Sequence, residues 1–279
     1  MIWMKTSDGK QYPIISIETI PNFIEEGGPH YFQIGDVKVD HCSERTLYGS
    51  IHIVYLEEFK EELQNALLDH VYSMFRDSPV FQLKTSLDRK LPILTGIQDI
   101  HLSGSRFEGP EEKLESFLST YPNLNSIHIR FELNSLKDTS KFFEIPNICC
   151  QETNLMTSNV LENFKGRVAI FWNATCDSNV LRVFLLKWIR NEAYQNLKVL
   201  RIDHSWYELI PLDILGNIQR KQWDPKQRPR FFKYKLPIME YRKTINQNCS
   251  TWIDIEREQD KKLVSVRIQP RQFLFYVWN

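Results

Sequence analysis

The sequence predicts an α/β fold in which strand–helix units stack irregularly, with small antiparallel β elements at both ends of the chain. An amphipathic helix at residues 180–190 is followed closely by an apolar strand at 196–202. The same order of helix, polar turn and strand occurs at 114–129, and a third apolar phrase of the L-x-x-L-x-L type lies at 97–102. The phrases that begin at residues 97 and 124 are separated by a number of residues within the roughly 20 to 29 residue period of leucine-rich repeats. We therefore expect a leucine-rich-repeat-like stack.

The spacing of these units is irregular. The phrases begin at residues 97, 124 and 197, and the longer gap holds a degenerate strand at 168–172 whose preceding helix includes Leu161 and Phe164. The alternation of strand and helix from about residue 80 to 215 predicts parallel pairing. We therefore expect divergent repeats rather than a regular solenoid.

The N-terminal part of the chain has a different pattern. Residues 11–55 alternate apolar and polar side chains in places, which predicts a small antiparallel sheet with a turn at Gly27-Gly28-Pro29. Apolar residues at helical spacing from Leu56 to Met74 then predict an amphipathic helix that ends near Pro79. We assign residues 1–90 to these N-terminal β elements and their helix.

The second part, residues 91–279, is predicted to be the repeat-like domain. After residue 216 three apolar runs at 251–257, 263–268 and 273–278 predict a closing antiparallel meander. Because no linker rich in Pro, Gly or Ser divides the chain, we expect one continuous body.

Composition and charge exclude several classes of protein. The 279 residues are 42% hydrophobic, enough for a substantial core, and 35 basic residues balance 35 acidic ones. No global charge attracts nucleic acid or membranes, so a charged partner needs a local patch. No apolar run reaches the roughly 20 residues that span a bilayer, and no signal peptide is evident, which predicts a cytoplasmic or nuclear location. The five scattered cysteines are expected to be reduced thiols rather than a disulfide framework or a zinc site.

The sequence lacks the spacing patterns of common enzymes. Phosphate-binding glycine loops, the G-x-S-x-G elbow, the H-E-x-x-H zinc motif and the EF-hand loop do not occur. His101 and His128 occupy equivalent places in two predicted strands, where they form either a metal or proton-switch pair or an ordinary solvated ladder. No third ligand is indicated, so we favour the ladder and expect neither catalysis, nor a metal, nor a cofactor.

Residues 220–235 form the most distinctive local patch. Seven Lys and Arg residues are interleaved with Trp, Phe and Tyr residues, and the segment has one acidic residue, Asp224. Such a segment is suited to protein binding, because Trp and Arg are common hot-spot residues, or to nucleic acid, because bases stack on aromatic rings. It is equally suited to a structural role in which the aromatic rings are buried and the cations reach solvent. The neutral chain makes nucleic acid the weakest of the three.

Several phrases together resemble the type 2 F-box-associated domain, which lies downstream of the F-box in a large nematode family of F-box proteins. These phrases are at 160–164, 181–190 and 196–202, at Trp223-Asp224 with Arg228-Pro229, and at 254–258, 263–265 and 275–278. The most specific block is 155–235. Arg182 stands where the family usually has Asn, and Asn191 where it usually has Gly. Residues 1–50 predict strands and turns rather than the helices of an F-box, so the chain resembles only the downstream half.

The resemblance implies a non-catalytic protein-recognition module, similar to the substrate-binding part of SCF-type ubiquitin ligases. Its partner would be a substrate protein, and a Skp1-like adaptor and cullin would associate only indirectly; the alternative is a stand-alone binding or competitor protein without a ligase. We expect no membrane association and no nucleic acid. The candidate binding residues are the strand positions predicted to be exposed and the basic patch: Gln98, His101, His128, Lys198, Arg201, Trp223, Arg228 and Arg230.

Overall fold

The computed structural model describes residues 2–5, 11–20, 31–34, 37–40, 42–47, 50–56, 65–67, 70, 81–87, 97–104, 110–154, 156–206, 208–237 and 244–278. It describes their side chains from residue 65 onward, except those of 81, 82 and 152–154. The chain divides into two compact units, Met1–Pro79 and Val80–Asn279.

The first unit contains two small sheets. Its strands are β1 (Ile2–Lys5), β2 (Gln11–Ile20), β3 (Tyr31–Ile34), β4 (Val37–Asp40), β5 (Cys42–Leu47) and β6 (Ser50–Leu56). One sheet has the order β1-β2-β6-β5, and β3 pairs with β4 in the other. The prediction of a purely antiparallel sheet is wrong, because β2 and β6 run parallel. Within the predicted amphipathic helix, residues 65–67 and 70 are helical; its other residues and the turn at Gly27-Gly28-Pro29 lie outside the described residues.

The second unit is a mixed α/β structure around a nine-stranded, mostly parallel sheet with the order β15-β16-β17-β12-β11-β10-β9-β8-β7. Its strands are β7 (Phe81–Thr85), β8 (Ile97–Ser103), β9 (Ser126–Arg130), β10 (Asn147–Asn154), β11 (Val168–Ala174), β12 (Val199–His204), β13 (Phe231–Lys235), β14 (Thr244–Asn248), β15 (Ile253–Glu256), β16 (Leu263–Gln269) and β17 (Gln272–Val277). Strands β7 to β12 run parallel and are neighbours in chain order. The predicted parallel pairing is therefore confirmed, and so is the antiparallel meander of β15, β16 and β17.

In the described part of the second unit, four α-helices follow from the local sequence: α1 (Pro110–Thr120), α2 (Met156–Asn163), α3 (Ser178–Ile189) and α4 (Pro211–Leu215). Helix α1 begins with Pro110, whose ring suits the first helical position. Helix α3 is capped by Asp177, whose side chain accepts a hydrogen bond from the Val180 backbone N–H at 2.9 Å. The buried residues of α1, α2 and α3 pack with one face of the sheet in a single apolar core, which we call the helix face.

The opposite face, which we call the second face, is partly covered by β13 and β14. These strands form a separate antiparallel hairpin. The inward-facing ring of Phe232 stacks on the Tyr276 ring of β17, with 4.7 Å between the centroids. The Trp252 ring also packs on Tyr276, with 5.1 Å between their centroids. A second apolar cluster therefore forms beneath the hairpin and includes Val168, Ile170 and Val199 of the parallel strands. The sequence did not predict β10 or this hairpin.

Candidate functional site

His101 and His128 lie side by side on the second face, as their spacing predicts. They are paired in the register of β8 and β9, and their ring centroids are 4.5 Å apart. Both are completely buried, so the prediction that they are exposed ladder positions is wrong. Alternation along a strand indicates which face a side chain joins, but it does not tell whether that face is covered.

The other predicted strand residues differ in exposure. Gln98 is exposed at the start of β8. Lys198 and Arg201 are only half-buried, and Arg201 forms an ion pair with Asp203 at 2.6 Å. Burial lowers the pKa of Lys198, and the neighbouring cations Lys262 and Arg257 lower it further. The predicted residues therefore do not form one continuous exposed surface.

Arg228 belongs to a buried polar network, which is a correction of its predicted binding role. Its Nε and Nη2 donate to the two carboxylate oxygens of Asp254 at 2.8 and 2.9 Å. The Asp254 carboxylate also accepts from Ser265 at 2.6 Å, and Ser265 in turn accepts from the Trp278 indole at 2.8 Å. We call Arg228, Asp254, Ser265 and Trp278 the arginine network. The bonds between Arg228 and Asp254 hold the meander to the segment before β13. Because all four residues are buried, the network offers no donors to a partner.

Trp223 supports the same network from outside. Its indole nitrogen donates to the Arg228 carbonyl oxygen at 3.3 Å, and the side chain is half-buried. Arg230, two residues after Arg228, is exposed and lies over the Phe231 ring at 5.6 Å. Of the three predicted residues in the basic patch, Arg230 is the one that is exposed.

A second buried arginine joins other parts of the chain. Arg257 is 2% exposed, lies over the Trp188 ring at 4.7 Å and donates to the Asn191 side-chain oxygen at 2.6 Å. Asn191 itself takes a left-handed backbone conformation with φ of 60°, which ends α3. The end of α3 is thereby tied to the turn between β15 and β16.

The outer face of the hairpin carries exposed cations. Phe231, Lys233 and Lys235 alternate with the inward residues of β13, and all three are exposed. Their partners across the hairpin are Asn248, Asn246 and Thr244, none of which is acidic. Together with Arg230, these residues make a basic surface that the sequence pattern indicated.

A row of partly exposed side chains that the sequence did not predict lies on the same face, nearer the carboxyl ends of the strands than the buried histidines. Ser103, Arg130, Gln151 and Trp172 come from the ends of four consecutive parallel strands, and we call them the carboxyl-end row. Arg130 donates through Nε to the Gln151 side chain at 3.0 Å. Arg130 is exposed and the other three are half-buried. The alternation of the strands places this row on the second face, and only the structure shows where along each strand exposure begins.

Beyond the same end of the sheet lies a group of exposed apolar side chains, Trp206, Ile210 and Leu212, which we call the apolar rim. They are 88%, 53% and 72% exposed. Ser205, next to Trp206, donates to the Asn173 side-chain oxygen at 2.9 Å, so the rim begins beside the end of β11. In the sequence these residues sit in a stretch without helix or strand periodicity, and that lack of periodicity is the signal that could have indicated exposure.

The apolar rim adjoins a cleft of about 650 Å³ at the start of α3. Its lining residues are Cys176, Asp177, Ser178, Asn179, Arg182, Glu208, Leu209, Leu212 and Asp213. Three carboxylates and one guanidinium therefore surround it. Burial and the nearby Asp177 raise the pKa of the Cys176 thiol to about 12, which keeps it protonated and a poor nucleophile.

Comparison with known proteins adds no further assignment. No family model, no curated protein and no solved structure matches this chain. Within the described ranges, no group of three or more His, Cys, Asp and Glu residues is arranged to hold a metal ion. No helix in the described part of the chain has both the length and the apolar character needed to traverse a bilayer.

Proposed function

We propose that this chain is a non-catalytic protein-recognition module, similar to the substrate-binding part of F-box proteins. The observation that carries the proposal is the apolar rim, where Trp206 is 88% exposed and Ile210 and Leu212, in the same short segment of the chain, are exposed as well. Large apolar side chains gathered at one place on a surface mark sites of protein contact, and Trp is enriched among the residues that dominate binding energy.

The carboxyl-end row extends the surface that this function needs. Trp172 directly precedes Asn173, whose side chain is hydrogen-bonded to Ser205 beside Trp206. The row thus adds a half-buried Trp on the strand next to the rim and, two strands further along the sheet, an exposed Arg. Arg and Trp are the residue types that most often anchor an interface, so both groups suit one extended partner.

Strand order supports a leucine-rich-repeat-like architecture. In such stacks each unit adds one strand next to the last, and the crossover helices lie on one face. Strands β7 to β12 follow chain order, and α1, α2 and α3 pack on the helix face. The other face is then the one on which strand residues of several units can meet a partner.

Two features support the resemblance to the F-box-associated domain. The phrases that carry it make contact with one another, since Arg228 binds Asp254 and Arg257 binds Asn191. Asn191, which replaces the family's usual Gly, has a φ of 60°, a conformation that Gly adopts freely and Asn tolerates. The departure therefore suits the backbone at this position.

Substitution of Trp206 tests the proposal. We expect Trp206→Ala to lower capture of partner proteins from native cells by about 30-fold or more, because a hot-spot residue contributes about 2 kcal/mol or more. Quantitative mass spectrometry of proteins bound to the purified chain measures this loss. Phe231→Ala is the matched control, because it removes an exposed aromatic ring from the hairpin instead. Equal capture of partners by wild type, Trp206→Ala and Phe231→Ala would contradict the proposal.

The same experiment separates the ligase function from the alternative. Recovery of a Skp1-like adaptor and a cullin with the partners supports delivery of substrates to a ubiquitin ligase. Partners that depend on Trp206 but come without adaptor or cullin favour a stand-alone binding or competitor protein.

A further inference from the structure

We propose that the cleft beside the apolar rim binds a segment of another protein that carries a cationic side chain next to a large apolar one. The inference rests on the proposed function and names the class of partner for the same surface. It combines the shape of the cleft, its charge and the apolar side chains at its edge.

The charged lining of the cleft is mainly acidic. Asp177, Glu208 and Asp213 line the cleft, and Arg182 is the one cation among its lining residues. The Arg182 guanidinium is held by packing closely against Gly216, and it donates through Nη1 to the Asp213 carbonyl oxygen at 3.4 Å. That bond uses a backbone acceptor rather than a carboxylate, and the Asp177 side chain accepts from the Val180 backbone N–H, so the acidic side chains of the cleft keep a net negative charge that attracts an incoming cation. An excess of carboxylates repels phosphate groups, which disfavours nucleic acid and anionic membranes.

The apolar rim adds exposed apolar side chains to this acidic cleft. Leu212 both lines the cleft and is 72% exposed, and Ile210 and Trp206, which precede it in the same short segment of the chain, are also exposed. Burying such side chains against a partner is favourable in proportion to the apolar area removed from water. A purely polar partner would leave that gain unused, so the partner's cation must be accompanied by an apolar residue.

The rim is also held in place before any partner arrives. The Ile210 backbone N–H donates to the Ser178 hydroxyl at 3.4 Å, and the Leu209 N–H donates to the Pro270 carbonyl oxygen at 2.7 Å. Leu209 is buried, which anchors the segment from below. A surface that needs little ordering loses less entropy on binding.

One part of this chain has the same chemistry as the inferred partner. The hairpin presents Arg230, Lys233 and Lys235 around the exposed Phe231 ring. A second copy of the chain is therefore a competing occupant, which the experiment must distinguish from a different protein.

The experiment uses the full chain and a displayed library of random 12-residue peptides. We expect the enriched peptides to carry net positive charge and at least one large apolar side chain. Binding of synthetic versions of these peptides is then measured by fluorescence anisotropy. Reversing two exposed cleft charges with Glu208→Lys and Asp213→Lys should weaken binding about tenfold at low salt, since each surface charge contact contributes modestly.

A second variant controls for charge alone. Glu112→Lys with Glu258→Lys makes the same change at exposed positions that do not line the cleft, and peptide binding should stay within about twofold of wild type. Neutral or acidic enriched peptides, no enrichment, or equal binding by the cleft and control variants would each overturn the proposal. Self-association in sedimentation that the cleft variant abolishes would assign the cleft to a second copy and would overturn it too.

Failure of this inference is distinguishable from failure of the proposed function. If cellular partners are lost with Trp206→Ala but stay bound to the cleft variant, the recognition function stands and the cationic partner is wrong. If neither variant changes the captured proteins, both proposals are wrong.

Discussion

Replacing Arg228 with Ala should remove the centre of the arginine network. Arg228 is 3% exposed and donates twice to the Asp254 carboxylate, which is equally buried. After the substitution this carboxylate keeps the Ser265 hydroxyl as its donor at 2.6 Å, but no cation. Removing one partner of a buried ion pair costs about 3–5 kcal/mol, because the remaining charge is uncompensated. We therefore expect a loss of that size in the free energy of unfolding.

Arg230→Ala is the matched control, since it removes the same side chain two residues away. Arg230 is exposed and donates weakly to the Asn248 side chain at 3.4 Å. Surface changes of this kind usually alter stability by less than about 0.5 kcal/mol. The two arginines are equivalent in sequence terms, so the difference between the variants isolates the effect of burial.

Urea unfolding followed by tryptophan fluorescence measures both variants. Of the seven tryptophans, only Trp3 precedes Val80, so the signal reports mainly on the second unit. Equal losses for Arg228→Ala and Arg230→Ala would refute the reasoning. The double variant Arg228→Met with Asp254→Leu removes both charges and should recover most of the loss. If it does not, the loss comes from packing rather than from an unpaired carboxylate.

Substitutions at Gly216 and His204 should also change the free energy of unfolding. Gly216 has φ of 43° and an added Cβ would clash with Nη1 of Arg182, so Gly216→Ala should lower the urea-derived free energy of unfolding by about 1–3 kcal/mol. Combining it with Arg182→Ala relieves the contact but not the backbone strain, and full recovery in that pair would show that strain is absent. Burial lowers the pKa of His204 below its ordinary value of 6.5, although Asp203 opposes the shift. The unfolded chain then binds this proton more readily, so wild type should lose stability as pH falls below 6.5, and His204→Leu should lose less; parallel curves from about pH 7.5 to about pH 5.5 would contradict the assignment.

The repeated helix–strand unit allowed much of the second unit's sheet to be predicted. Apolar phrases at 97, 124, 168 and 197 correspond to β8, β9, β11 and β12, because each combines strand-like residues with a preceding turn or helix. Strand β10 was missed because its apolar centre, Ile148-Cys149-Cys150, is too short to show a period. The hairpin of β13 and β14 was missed because cations conceal the alternation of Phe232 with its outward neighbours.

The candidate site was harder to predict than the fold. Alternation placed His101 and His128 on one face, but whether that face is covered depends on distant segments. Arg228 and Arg230 look alike in the sequence, and their separation depends on Asp254, 26 residues further along the chain. Local patterns hold no information about such contacts, so exposure and pairing require the structure.

The structure separates the residues that build the framework from those that offer a surface. Arg228 contacts Asp254, and Arg257 contacts Asn191. These residues belong to or adjoin the phrases that resemble the F-box-associated domain, and both arginines are buried. The apolar rim lies outside those phrases, and its three side chains are exposed. A change in the framework therefore acts on stability first, whereas a change in the rim replaces exposed side chains at little cost to the fold. Under the proposed recognition function, we therefore expect the rim, rather than the framework, to determine which protein this chain binds.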